Sequence, residues 1–118
     1  MRIVADQIGA PTWSQLIAEA TALALRGDPA SGLYHMSCAG RTSWHGFAQA
    51  ILGAQNWQGR LLAISTAEYP TPARRPANSL LDNGKLAREL SLALPDWRLA
   101  LKLCLDDDAA QLGPGLNL

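Results

Sequence analysis

The segment from Glu68 to Ser79, Glu-Tyr-Pro-Thr-Pro-Ala-Arg-Arg-Pro-Ala-Asn-Ser, sets three prolines around the adjacent Arg74 and Arg75 and runs into Leu80-Leu81-Asp82. Each proline fixes its own φ, removes a backbone donor and drives the preceding residue to extended conformations. The segment is therefore a stiffened connector, and Ser79 to Leu81 beyond it reads as a short apolar strand. A stiff loop holds side chains in place. Two guanidiniums on it, close to hydroxyls and an amide, suit a ligand with planar or tetrahedral oxyanions, which arginine grips bidentately. The competing reading is that both are solvated surface charges, the common state of arginine.

A chain of 118 residues with 48% hydrophobic content fits one domain with a core of its own. Ten basic residues balance ten acidic ones, which argues against nucleic-acid binding through a basic face and leaves anion recognition to local clusters. Arg74-Arg75 is such a cluster. Cys38 and Cys104 stand far apart with no metal-type spacing, so neither a disulfide framework nor a zinc site is expected and a reducing compartment is the simpler inference. No apolar run reaches membrane-spanning length and the first residues lack a signal-peptide profile, so the expected location is the cytoplasm.

Along the chain, Arg2 to Ala5 reads as a strand, broken by the glycine and proline of Asp6 to Thr12. Thr12 or Ser14 is placed to cap a helix in which Leu16, Ile17, Ala20, Leu23 and Ala24 recur at helical spacing until Gly27-Asp28-Pro29 ends it. Leu33 to Ser37, between Gly32 and Gly40, reads as a strand. Thr42 or Ser43 can cap a second helix with Trp44, Phe47, Ala48, Ile51 and Leu52 on one apolar face. Leu61 to Ile64 reads as another strand. Asp82 can cap a helix carrying Leu86 and Leu90, and Pro95-Asp96 opens a last one with Trp97, Ala100, Leu101, Leu103 and Cys104 inward. The tail from Asp106 is expected to fray. The order is α/β, with about four helices and a small sheet of short strands. It contains no glycine-rich phosphate turn after a strand, and no tyrosine followed four residues later by lysine: Cys38 stands there after Tyr34, and Ala73 after Tyr69.

Four pieces in order carry a resemblance: Asp6-Gln7-x-Gly9-x-Pro11-Thr12, Gly32-x-Tyr34-His35, Thr42-Ser43-Trp44-x-x-Phe47-Ala48, and Pro72-x-x-Arg75-Pro76-x-Asn78-Ser79-x-Leu81-Asp82-x-x-Lys85-Leu86. From about Arg2 to Leu105 the chain resembles the C-terminal, sugar-nucleotide-binding portion of the dTDP-4-dehydrorhamnose reductase family, within the extended short-chain dehydrogenase/reductase superfamily. The resemblance divides the chain into a substrate-binding portion, 1–105, and a tail, 106–118. It implies reduction of dTDP-4-dehydro-6-deoxy-L-mannose to dTDP-L-rhamnose with NADPH or NADH, for surface polysaccharide. In the family the Rossmann glycine turn and the proton-donating tyrosine and lysine lie in the N-terminal half. Without them there is neither hydride nor general acid, so this chain alone is expected to bind no cofactor and to be inactive. Magnesium is linked to the family, but three consecutive aspartates at a fraying helix end read as solvated, and no metal ligand is assigned.

The resemblance makes Arg75 the first candidate for the ligand's diphosphate and Arg74 the second. Asn78 and Ser79 could orient the arginine or bond the ligand, against a role in ending the loop. Gln7 and Thr12 match a loop near the family's cleft, with Thr12 as helix cap the alternative. His35 reads as a packed strand residue and His45 as exposed; the tryptophans at helix starts read as packing groups. A chain that holds part of a sheet is also expected to self-associate through open edges or to be marginally stable. A different class of reading is a noncatalytic protein-interaction module that kept the shape of a reductase lobe.

Overall fold

The computed structural model describes residues 1–112. Among the described residues there are four α-helices and two small sheets, each of two strands. β1 (Arg2–Val4) pairs in parallel with β4 (Leu62–Ile64), Val4 opposite Ile64, and these two are the buried residues of their strands. β2 (Ile8–Gly9) pairs antiparallel with β3 (Thr42–Ser43). A parallel pair needs a crossover, and α1 (Ser14–Arg26) and α2 (Trp44–Ala54) lie in the chain between β1 and β4, with α2 against β1.

The proline-rich connector is pinned where it ends. The Ile8 amide donates to the Ala77 carbonyl and the Ser79 amide to the Ile8 carbonyl, both at 2.9 Å, so Asn78 forms a parallel bridge alongside β2. A Cβ at Gly9 would come within 2.8 Å of Ser79 Oγ, so a side chain there would turn that hydroxyl away from the Ile8 carbonyl. That bridge is all the strand character the connector's exit has. The expected strand at Ser79 to Leu81 is absent, since the Leu80 amide turns back to Asn78 Oδ1 at 3.0 Å instead of joining a ladder.

Leu33 to Ser37 is likewise not a strand. Its backbone groups are met by side chains distant in sequence: Lys85 Nζ donates to the Leu33 carbonyl at 3.2 Å and Asn83 Nδ2 to the Ser37 carbonyl at 2.8 Å. Next to it the Cys38 amide donates to Thr12 Oγ1 at 3.0 Å. Thr12 is thereby spent as a brace between two loops, its hydroxyl also donating to the Ala10 carbonyl, and is not a helix cap; Trp13 occupies the N-cap of α1 without a side-chain bond. The α2 cap is as expected, Ser43 Oγ accepting from the Gly46 amide at 3.1 Å.

α3 (Gly84–Leu90) starts beyond Asp82, whose Oδ1 accepts from the Gly84 amide, and carries the fully buried Leu86. α4 (Trp97–Leu112) begins at Asp96, whose carboxylate accepts from the Arg98 amide. It continues through Asp106, Asp107 and Asp108 instead of fraying there; residues 113–118 of the expected tail lie outside the described residues. The core cluster joins Cys38, Trp97 and Ala100, with Leu16, Phe47, Ala50, Leu94 and Leu101 packed around them. Of the expected inward face of α1, Ala20 is buried, whereas Ile17 and Leu23 are exposed.

Candidate functional site

The β2–β3 pair, the start of α2 and the proline connector enclose a cavity of about 300 Å³, lined among others by Gln7, Ile8, Pro11, Phe47, Arg75 and Ser79. A second cavity of about 570 Å³ lies over β1, lined by Arg2, Ile3, Val4, Gln7, Trp44, Tyr69, Thr71 and Arg75. Gln7, Trp44 and Arg75 border both, so the two form adjoining compartments of one cleft.

Arg75 faces this cleft, and its guanidinium has no hydrogen-bond or ion-pair partner among the described residues. Pro76 beside it and the Ala77–Ile8 bond hold its backbone against β2. Arg74 is exposed and lines neither cavity, so the two arginines part ways. Ser79 lines the smaller compartment with its hydroxyl donating to the Ile8 carbonyl at 3.1 Å. Asn78 lines neither, and its carbonyl oxygen closes the turn onto Leu80. Thr12 and His35 also lie outside both compartments.

Gln7 is fixed from behind. Its Nε2 donates to Thr66 Oγ1 at 3.1 Å, and that hydroxyl donates to Asp6 Oδ1 at 2.6 Å while the Thr66 amide donates to the same carboxylate. Beside it Ser65 and Glu68 form a reciprocal capping box on the 3-10 turn Thr66–Glu68, and Arg2 pairs with Glu68 at 3.3 Å. The hydroxyl and amide of Thr66 lower the pKa of Asp6, and Ser65 does the same for Glu68. A carboxylate with a folded-state pKa below its unfolded value adds stability above the unfolded pKa and loses it as pH falls through the folded one. We therefore expect the Ser65 and Thr66 amides to lose hydrogen-exchange protection, after correction for intrinsic rates, only below the ordinary carboxylate range. In Asp6→Ala, which removes the acceptor, the Thr66 amide should be poorly protected at every pH; unchanged protection in that variant would contradict the clamp.

Trp44 borders both compartments, a position helical periodicity does not reveal. It was expected on the buried face of α2, yet as the first residue of that helix it emerges 59% exposed over the cleft. Tyr69, 58% exposed, stands on the other segment bordering the larger compartment.

A tyrosine and a lysine do meet elsewhere, Lys85 Nζ lying 4.2 Å from the centre of the Tyr34 ring. The Tyr34 hydroxyl donates to Glu89 at 2.7 Å, and that bond raises its pKa, the opposite of what a general acid near neutral pH needs. Among the described residues no three His, Cys, Asp or Glu side chains are grouped to hold a metal ion.

A family model described as the RmlD substrate binding domain matches residues 1–110. The chain belongs to that family. The RmlD-type domain is 47% identical over 129 aligned residues to dTDP-4-dehydrorhamnose reductase of Burkholderia thailandensis, with 94% of this chain and 43% of the relative covered. Crystal structures of reductases of that name are similar too. The one from Bacillus anthracis, in complex with NADP, gives a TM-score of 0.85 at 30% identity over 91% of this chain and 38% of its own. The Clostridium acetobutylicum ortholog gives 0.81 at 29%, over 90% and 38%. The RmlD-type domain described here thus spans about two fifths of the length of the curated relatives it matches.

Proposed function

We propose that this chain supplies the sugar-nucleotide-binding side of a dTDP-4-dehydrorhamnose reductase, the enzyme that converts dTDP-4-dehydro-6-deoxy-L-mannose to dTDP-L-rhamnose with NAD(P)H in dTDP-rhamnose and surface polysaccharide biosynthesis. The observation that carries this reading is Arg75, an unpartnered guanidinium on a proline-held loop at the junction of two compartments. A diphosphate brings negative charge that a rigid fork of donors compensates better than a mobile ammonium. Gln7, held by the Asp6–Thr66 clamp, and Ser79 stand on the same walls as secondary polar contacts. Arg74, Asn78 and Thr12 are outside the cleft and play no direct part in this proposal.

Among the described residues we find neither the glycine-rich turn nor the free tyrosine–lysine pair that nicotinamide-dependent reduction calls for. The turn after β1 presents the Asp6 carboxylate and not a glycine-rich cradle of amides, and the Tyr34–Lys85 pair is tied to Glu89. When bound to a complete reductase the cofactor supplies hydride; the side chains described here bind and orient the nucleotide. The free thiols of Cys38 and Cys104 suit a reducing, cytoplasmic setting.

Titration calorimetry with dTDP-L-rhamnose and with dTDP tests the proposal. Heat of binding from both is the expected result; no heat at millimolar ligand overturns it and favours the protein-interaction module.

Self-association belongs to the same proposal. Each sheet has two strands, a size of marginal independent stability, and Leu25 and Leu33 are 72% and 77% exposed. In size-exclusion chromatography and thermal melting the isolated chain should run as an oligomer or melt broadly, and a sharply melting monomer would contradict this.

A further inference from the structure

We infer that Trp44 and Tyr69 are the nucleobase platform of the cleft: the flat base of the bound nucleotide stacks in the larger compartment between their segments while Arg75, at its edge, takes the diphosphate. This deepens the proposed function and rests on it.

Large aromatic rings normally bury most of their surface. Here two rings from different parts of the chain are each more than half exposed and border the same cavity of about 570 Å³. Neither is exposed by looseness of its backbone. Trp44 opens α2 directly after the Ser43 cap, and β3 anchors that cap to β2. Tyr69 is held between the Ser65–Glu68 capping box and Pro70, and its amide donates to the Thr66 carbonyl at 3.1 Å. Rings presented on rigid supports lose little entropy when a ligand covers them.

The remaining lining selects among flat ligands. Ile3 and Val4 contribute apolar floor from β1, and Arg75 adds an unpaired cation at the edge. A ring that carries its charge on an attached phosphate, which is the shape of a nucleotide, meets both demands. Gln7 borders both compartments with its amide nitrogen already engaged by Thr66, which leaves its carbonyl oxygen as an acceptor toward a base N–H. The other exposed aromatic, Trp57 at 40%, borders neither compartment and serves as an internal control.

The test uses the full chain and two probes, dTDP and inorganic pyrophosphate, titrated calorimetrically. Base stacking on an aromatic side chain is worth enough that its removal should weaken dTDP by roughly 5- to 150-fold. Trp44→Ala and Tyr69→Ala should each weaken dTDP within that range and leave pyrophosphate affinity unchanged. Trp44→Phe should restore most of the dTDP affinity, and Trp57→Ala should change neither ligand. Tryptophan fluorescence adds an independent readout: dTDP quenches emission in the unmodified chain, and the quenching is largely lost in Trp44→Phe. If dTDP binds, depends on Arg75, and is indifferent to Trp44→Ala and Tyr69→Ala, the platform is wrong while the diphosphate site stands. If neither dTDP nor pyrophosphate binds, both readings fail.

Discussion

Trp97→Ala should be the most damaging single substitution in this chain, costing about 3–5 kcal/mol as other large aromatic truncations in cores do. Trp97 is 3% exposed at the centre of the cluster formed with Cys38 and Ala100, and Phe47 meets its ring edge-on with centroids 6.0 Å apart. Its backbone ties two distant loops, the Trp97 amide donating to the Ala39 carbonyl at 3.0 Å and the Ala39 amide to the Pro95 carbonyl at 2.9 Å. Emptying that volume takes support from the start of α4 and the inner side of α2 together. Among the described residues the buried indole N–H has no partner. Trp97→Phe removes that unmet donor, a relief of about 1–3 kcal/mol that offsets part of the lost packing, so it should be much milder than alanine. Near-ultraviolet circular dichroism in urea reads both variants. Loss of the signal without denaturant for alanine, with partial retention for phenylalanine, is the expected pattern; an alanine variant within about 1 kcal/mol of the unmodified chain, the scale of an ordinary point mutation, would contradict this account of the core.

The second large effect concerns binding. Arg75→Ala should weaken dTDP-L-rhamnose by about 1.5–3 kcal/mol, the scale of hydrogen bonds to a charged group. Arg75→Lys keeps the charge but not the planar fork, so it should recover only part of the loss. Arg74→Ala, next door but outside both compartments, should change affinity little. Because no described side chain pairs with Arg75, its removal leaves no buried partner exposed, and stability should be nearly unaffected. That separation of binding from stability distinguishes a ligand residue from a structural one. Equal losses from Arg74→Ala and Arg75→Ala would indicate a diffuse electrostatic effect and no defined site.

Much of this was legible in the residues, and the exceptions have physical causes. The Ser43 cap, the stop at Gly27 and the opening at Pro95-Asp96 are local signals, and the helices begin and end near them. The proline bracing that singles out the Arg74-Arg75 loop is local as well. Leu33 to Ser37 misled because nothing nearby reveals that Asn83 and Lys85 will satisfy its backbone. β2 and β3, two residues each, are too short to leave an alternating pattern. The site was harder to read for a related reason. Periodicity assigns Trp44 to an apolar face but does not tell which end of that face leaves the core. Hydroxyl and amide residues also have local uses that compete with ligand contacts: the Thr12 hydroxyl donates to the Ala10 carbonyl and Asn78 accepts from the Leu80 amide.

The most direct measurement of the central claim is a nitrogen-15 NMR titration of the full chain with dTDP, following side-chain N–H resonances. Arg75 Nε, Gln7 Nε2 and Trp44 Nε1 should shift together along one binding curve, with Trp57 unmoved. Shifts absent from Arg75, or centred on residues remote from the two compartments, would contradict it.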